Sequence, residues 1–154
     1  MIGADNQQER LRMAGWISGF TDGEGSFVIS VIKNSTTRFG KQIFPEFVIT
    51  QGAKSLFALQ AIKDFFNCGS IVLNKRYDNH NEDIYRYCVR CILELKGIII
   101  PFFEEFPLKT HKQNDFILFK RVVGMMSEKQ HLQENGWNEI LEIASQTNRR
   151  KSRS

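Results

Sequence analysis

No apolar run in this chain approaches the length of a membrane span. A spanning helix needs about 18 or more consecutive apolar residues, and Gly97-Ile98-Ile99-Ile100-Pro101-Phe102-Phe103 stops well short of that. The polar stretch from Met1 to Gln8 lacks the apolar segment of a secretory signal, so neither a membrane nor a secreted protein is expected. Cysteines are few and odd in number, Cys68, Cys88 and Cys91, which points to a reducing compartment rather than a disulfide framework. Cys88-x-x-Cys91 has no second pair and lies in strand-like sequence, so a tetrahedral zinc site would lack half its ligands. His80, His111 and His131 show no metal-ligand spacing and are given no catalytic role.

The chain does have enough apolar content, 42% of 154 residues, for one ordinary core. A single domain is expected over 1–148, followed by a basic tail over 149–154. That tail holds Arg149, Arg150, Lys151 and Arg153, while the 17 basic and 17 acidic residues before it balance. Within the balanced part, 26–92 carries nine Lys/Arg against five Asp/Glu, whereas 1–25 and 93–148 are each net −2. Positive charge gathered in the middle of the chain favours a polyanion bound to one surface.

Hydrophobic periodicity sets the element order. Asn6 to Glu9 reads as the start of a helix that ends near Asp22. Ser26 to Lys33 alternates as a strand, and a second strand over about 42–51 is expected to bend or bulge at Pro45. Leu56, Leu59, Ile62 and Phe66 mark a helix that Asn67-Cys68-Gly69 stops, with strands then at about 70–76 and 83–92. A helix follows over about 93–106. Thr110-His111-Lys112-Gln113 reads as a capping box before the stripe Phe116, Phe119, Val123 and Met126, and Trp137, Ile140, Leu141 and Ala144 mark a last helix. The order αββαββαα, then α, predicts an α+β fold with helices on one face of a four-stranded sheet and the other face exposed.

Two oddities converge near the N-terminus. Gly15, Gly19 and Gly23 recur every fourth residue in a helix, where each glycine costs about 1 kcal/mol relative to alanine. That spacing clears one helix face for the close approach of another backbone. Asp22 and Glu24 then sit at the helix C-terminus, where the dipole disfavours acids unless a cation offsets them. Carboxylate oxygens are hard ligands suited to Mg²⁺ together with phosphate oxygens. The reading is a close helix–helix contact, through Gly15 and Gly19 with Asp22 alongside, that delivers a carboxylate to a metal.

Strand parity selects candidates on the exposed sheet face. Ser26, Val28, Ser30, Ile32 and Asn34 oppose the apolar set Phe27, Ile29 and Val31. Gln42, Glu46, Val48 and Thr50 are assigned to the same face from strand two, Leu73 and Lys75 from strand three, and Arg86 and Arg90 from strand four. Polar and basic side chains on a sheet face can enter a major groove and read base edges.

The segment Ile17-Ser18-Gly19-Phe20-Thr21-Asp22-Gly23-Glu24-Gly25 resembles the motif of the LAGLIDADG homing endonucleases, with Phe-Thr for Leu-Ile and Gly-Glu for Ala-Asp. Phe47-Val48-Ile49-Thr50-Gln51, Pro101-Phe102-Phe103 and Pro107-Leu108-Lys109-Thr110-His111-Lys112-Gln113 fall in the family's order, so the resemblance covers roughly residues 10–125. It implies a saddle-shaped antiparallel sheet and metal-dependent cleavage of DNA, usually leaving short 3′ overhangs. By the resemblance Glu24 binds Mg²⁺ or Mn²⁺ with the Gly25 carbonyl, Gln51 positions water, and Lys109 stabilises phosphate charge, with Lys112 as its basic neighbour. One motif supplies one carboxylate, so a homodimer on a long, nearly palindromic duplex is expected. At about 3.3 Å per residue, an eight-residue strand covers roughly eight base pairs, or on the order of 16 for two subunits. Rival readings are a maturase that binds its host intron RNA and a regulator that binds DNA without cutting it. An intracellular setting is expected, in an organelle or a prokaryotic cytoplasm.

Overall fold

The computed structural model describes residues 2–74 and 82–151. Helix α1 (Ile2–Glu24) leads into strand β1 (Gly25–Lys33), then β2 (Lys41–Gly52), helix α2 (Leu56–Phe66), β3 (Ser70–Asn74) and β4 (Ile84–Val89). Helical segment α3 follows in three parts, Ile92–Glu94, Leu95–Ile99 and Ile100–Glu105, and α4 (Lys112–Ser127) and α5 (Glu134–Lys151) come after it. The four strands form one antiparallel sheet in the order β1-β2-β4-β3. The α+β reading with an extra C-terminal helix is what the chain adopts. Among the described residues, no helix is long and apolar enough to cross a membrane.

Alternation along the strands sorts side chains between two faces. Phe27, Ile29, Phe47, Ile49, Tyr87 and Val89 point to the helices and are buried with Ile17, Leu59, Ile99 and Phe119. Phe27 is the hub, its ring centroid 5.3 Å from those of Phe47, Phe116 and Phe119 and 5.4 Å from that of Phe103. One aromatic side chain of β1 thus joins the sheet to α3 and α4. Edge and tilted ring contacts of this kind add about 0.5–1.5 kcal/mol each beyond burial.

Several boundaries differ from expectation. Helix α1 begins at Ile2 rather than Asn6, since Ala4 favours helix and Asp5 in the first turn suits the dipole. Strand β2 pairs with β1 through Pro45 without a bulge, in register Ile29↔Pro45. The β2–β4 ladder begins only at Phe47, so Pro45 lies on an edge stretch where a missing N–H is tolerated. The third helix contains a π-turn over Leu95–Ile99, just before Pro101, whose ring would clash with the preceding turn of a regular helix. The capping box does not form. Gln113 Oε1 accepts from the Leu108 N–H at 3.1 Å, and Thr110 Oγ1 accepts from the Lys112 N–H at 3.2 Å. Strand β4 ends at Val89, so Cys91 leaves the ladder, and residues 75–81 lie outside those described.

The C-terminus of α1 is tied down by the loop before α4. Asp22 Oδ2 accepts from the Lys109 N–H at 2.9 Å, and Oδ1 accepts from the Thr110 N–H at 3.1 Å and its hydroxyl at 2.7 Å. Lys112 Nζ donates to the carbonyls of Thr21 at 2.9 Å and Asp22 at 3.1 Å. This is the cation that acids at a helix C-terminus require. Ser18 Oγ donates to the Phe106 carbonyl at 3.0 Å one turn earlier. Asp22 is therefore engaged within the chain, in keeping with a structural role at the end of the helix that carries the glycines.

Gly25 packs directly on this turn: a Cβ there would lie 2.6 Å from Thr21 Cγ2 and 3.0 Å from the Thr21 carbonyl oxygen. Gly25→Ala should therefore destabilise the fold by about 1–3 kcal/mol in urea unfolding, with partial recovery when Thr21→Ser removes the methyl; an unchanged midpoint refutes the contact. Burial raises the pKa of Asp22, but the bonds from Lys109 and Thr110 and the charge of Lys112 outweigh it, and the value lies below the ordinary one. A depressed carboxylate pKa gives stability that is present above the unfolded value and lost as pH falls through the folded one. Wild type should exceed Asp22→Asn in melting temperature near neutrality, the gap closing below about pH 4; a gap independent of pH contradicts this account.

Candidate functional site

Helix α1 presents two opposed faces. Ala14, Ile17, Ser18 and Thr21 recur at i, i+3, i+4 and i+7 and are buried on the core. Gly15, Gly19 and Gly23 are exposed on the other side, and a Cβ at any of them would meet nothing within 4 Å. Trp16, itself exposed, stacks on Phe20 at 5.1 Å beside that glycine ridge. Among the described residues nothing packs on these three glycines, which leave an exposed backbone ridge along α1.

Glu24 ends α1 and is exposed, and it makes no hydrogen bond or ion pair with any described residue. Gly25 starts β1 and pairs with Ile49, so Gln51 lies two residues further along β2, about 7 Å away at 3.3 Å per residue. The Lys109 N–H is bonded to Asp22, two residues before Glu24, and its side chain is exposed. Glu24, Gly25, Gln51 and Lys109 are thereby gathered at one end of the sheet from four different parts of the sequence. Lys112 joins them spatially, with its ammonium turned onto the end of α1.

The outward sheet face is concave, a depression of about 680 Å³. Ser26, Val28, Ser30 and Ile32 of β1, Glu46, Val48 and Thr50 of β2, and Arg86 and Arg90 all line it, as parity predicts. Phe44, Asn74 and Cys91 line it too and were not expected. Leu73 is a correction. It pairs with Tyr85, and β3 turns its even positions to the concavity, since Val72 pairs with Arg86. The β3 sequence has no clean alternation, so only pairing with β4 settles its parity. Lys75 lies outside the described residues. Asn34 and Gln42 sit at the far end, where the Asn34 side-chain NH₂ donates to Gln42 Oε1 at 2.9 Å and Asn34 Oδ1 accepts from the Thr36 N–H at 3.1 Å. Asn34 therefore shapes the β1–β2 turn.

At the centre of the depression the Glu46 carboxylate is buried, one oxygen paired with Arg86 and the other with Arg90. Two guanidiniums around one carboxylate leave the floor of the concavity with excess positive charge. Ser26, Ser30, Thr50 and Asn74 line the same depression together with Val28, Ile32, Phe44 and Val48, and the exposed Glu24 lies beyond one end of it. Such a surface can contact phosphates and donate hydrogen bonds to base edges.

Known proteins share this architecture. The model of a family described as LAGLIDADG endonuclease matches residues 17–123. "Probable intron-encoded endonuclease 2" of Neurospora crassa is 32% identical over 128 residues, covering 83% of this chain and 26% of that protein. The chain thus spans about a quarter of the length of such relatives, 25% in the case of "Probable intron-encoded endonuclease 3" of the same fungus. The crystal structure of the homing endonuclease I-TnaI superimposes with a TM-score of 0.76 at 41% identity, over 86% of both chains. The I-SmaMI LAGLIDADG homing endonuclease bound to cleaved DNA aligns with a TM-score of 0.77 at 34% identity, over 84% of this chain and 42% of that one. The motif at residues 17–25, the fold built on it and the match over 17–123 all agree, and the chain belongs to the LAGLIDADG endonuclease family.

Proposed function

We propose that the chain is a site-specific DNA endonuclease that acts as a homodimer on a long, nearly palindromic duplex. The observation that carries this reading is the adjacency of a concave, cationic sheet face to the exposed Glu24 carboxylate, which has no partner among the described residues. Duplex DNA lies against the concavity, contacted through Ser26, Ser30, Thr50, Arg86 and Arg90. The likeness to I-SmaMI, whose structure holds cleaved DNA, supports the same placement.

The donors at the end of α1 suit a divalent ion. Glu24 is exposed and free among the described residues, and the Gly25 carbonyl beside it is a second hard oxygen. Glu24 and the Gly25 carbonyl would hold Mg²⁺ or Mn²⁺, which would supply Lewis-acid polarisation of the scissile phosphate and a lowered pKa for water. Gln51 hydrogen-bonds and orients the attacking water, and the Lys109 ammonium stabilises charge accumulating on the phosphate. Asp22 and Lys112 hold the turn that aims Glu24.

One copy brings one Glu24, and two strands require two. Pairing α1 with its two-fold mate through Gly15, Gly19 and Gly23 brings two such ends together, which sets the symmetry of the target. The intron-encoded relatives support a gene carried in an intron, in an organelle or a prokaryotic cytoplasm, with host intron RNA as a second partner to assay.

Incubation with pooled organellar and bacterial DNA in Mg²⁺, with sequencing of the new ends, tests the activity. Recurrent ends at one pseudo-palindromic sequence are expected, and Glu24→Gln should abolish them while changing duplex affinity by no more than a few-fold. Tight binding of intron RNA with no ends above the Glu24→Gln background would replace the nuclease by a maturase. A Cβ at Gly19 meets nothing within 4 Å inside the chain, so Gly19→Leu is aimed at the dimer contact. Light scattering should give twice the 17.9 kDa chain mass for wild type and the single mass for the variant; a dimeric variant refutes pairing through this ridge.

A further inference from the structure

The Arg86–Glu46–Arg90 cluster is more than a charge on the sheet. By the β2–β4 register, Thr50 faces Arg86 and Val48 faces Cys88, so Glu46 falls opposite Arg90, one step past the ladder. Arg86 starts four pairs away, at the Glu24 end, yet its guanidinium reaches Glu46. Its stem therefore runs along the concave face in the direction of Val48 and Cys88, two outward-facing residues that are buried. The result is two guanidiniums converging on one spot from different directions. Arg86 is held low, its side chain 28% exposed, and Arg90 stands higher at 62%. Arg86 Nε is buried with no hydrogen-bond partner.

A buried carboxylate with neither neighbour would be strongly destabilising, so Glu46 and the arginines hold one another. An arginine on a DNA-facing surface has two options. Free, it swings to the nearest phosphate and reads nothing; pinned along one edge, it keeps its other N–H groups for a base edge in a fixed plane. Guanine, with O6 and N7 as adjacent major-groove acceptors, is the base that such a fork matches. Pinning also removes side-chain freedom before binding, which favours the matching base over the mobile phosphate contact.

We propose that Glu46 is a specificity-determining positioning residue: by sharing its two oxygens between Arg86 and Arg90, it commits both to reading guanine at one short block of each half-site. The inference rests on the DNA-reading function proposed above. The block's position follows from the register. Glu46 pairs with Val28, three residues along β1 from Gly25, or about 10 Å, so the block lies roughly three base pairs out from the cleavage end. Arg86 contributes there and not beside its own Cα.

Selection of a randomised 30-base-pair duplex pool by the full chain, with Ca²⁺ in place of Mg²⁺, reads the consensus directly. Wild type should enrich guanine in that block of both half-sites. Glu46→Gln frees both arginines: guanine preference there should fall about ten-fold, non-specific binding should rise, and the salt slope should steepen by one to two phosphates. Arg90→Lys removes no buried charge and keeps the fold testable should Glu46→Gln misfold. It should lose guanine preference at the same block with an unchanged salt slope, because the charge stays while the fork is gone. Were both variants to keep the wild-type consensus and slope, Glu46 would be a structural ion-pair partner alone and the inference overturned. A switch of that block in Glu46→Gln from guanine to a different, equally strong base preference would show that Glu46 reads the base itself, and would also overturn it. If wild type enriches no sequence at all, the DNA-reading function fails, and this inference with it.

Discussion

The packing of Phe27 among Phe47, Phe103, Phe116 and Phe119 is the contact on which the rest of the molecule depends. Phe27 lies three residues after Glu24, so its burial fixes where the chain leaves α1 and enters the sheet. Because strand side chains alternate, Phe27 inward means Ser26 and Val28 outward, and the whole concave face inherits its register from that one ring. A one-residue slip would place Ser26 in the core and Phe27 on the DNA side. The same aromatic hub holds α3 and α4, and α4 begins beside the loop that carries Lys109.

A second constraint is electrostatic. Two carboxylates at a helix C-terminus are unfavourable unless something answers them. Here the two have separate fates: Asp22 is satisfied by Lys109, Thr110 and the Lys112 charge, while Glu24, two residues on, stays exposed and free among the described residues. The loop that satisfies Asp22 brings Lys109 to the same corner. One set of hydrogen bonds therefore holds α1 in place and assembles the candidate chemistry from residues some 85 positions apart in the chain.

Charge is likewise divided on the sheet. A net charge of +4 says little by itself. What matters is that two arginines share one buried glutamate within a concavity lined by serine, threonine and asparagine as well as aliphatic side chains. The floor keeps an excess of positive charge, but in fixed positions, where a loose basic patch would attract any polyanion alike.

Much of this was legible from the residues in order. The glycine ridge, the motif at 17–25, the inward set Phe27, Ile29 and Val31 and the outward set Ser26, Val28 and Ser30 all follow from periods of 3.6 and 2, because a single element's pattern is printed along its own segment. What required the tertiary structure was every relation between segments. Leu73 was put on the wrong face because β3 lacks alternation of its own and takes its parity from β4. That Lys112, a basic neighbour of Lys109 in sequence, also caps α1, and that Asp22 anchors the loop before α4, are contacts between distant segments. Pro45 left the β1–β2 register unbroken because β4 does not yet pair beside it. The sequence by itself determined which surfaces are small, apolar or charged, since those are local properties of a helix or strand. The convergence of Arg86 and Arg90 on Glu46 was decided only when strand pairing set distant side chains against one another, and no single segment carries that information.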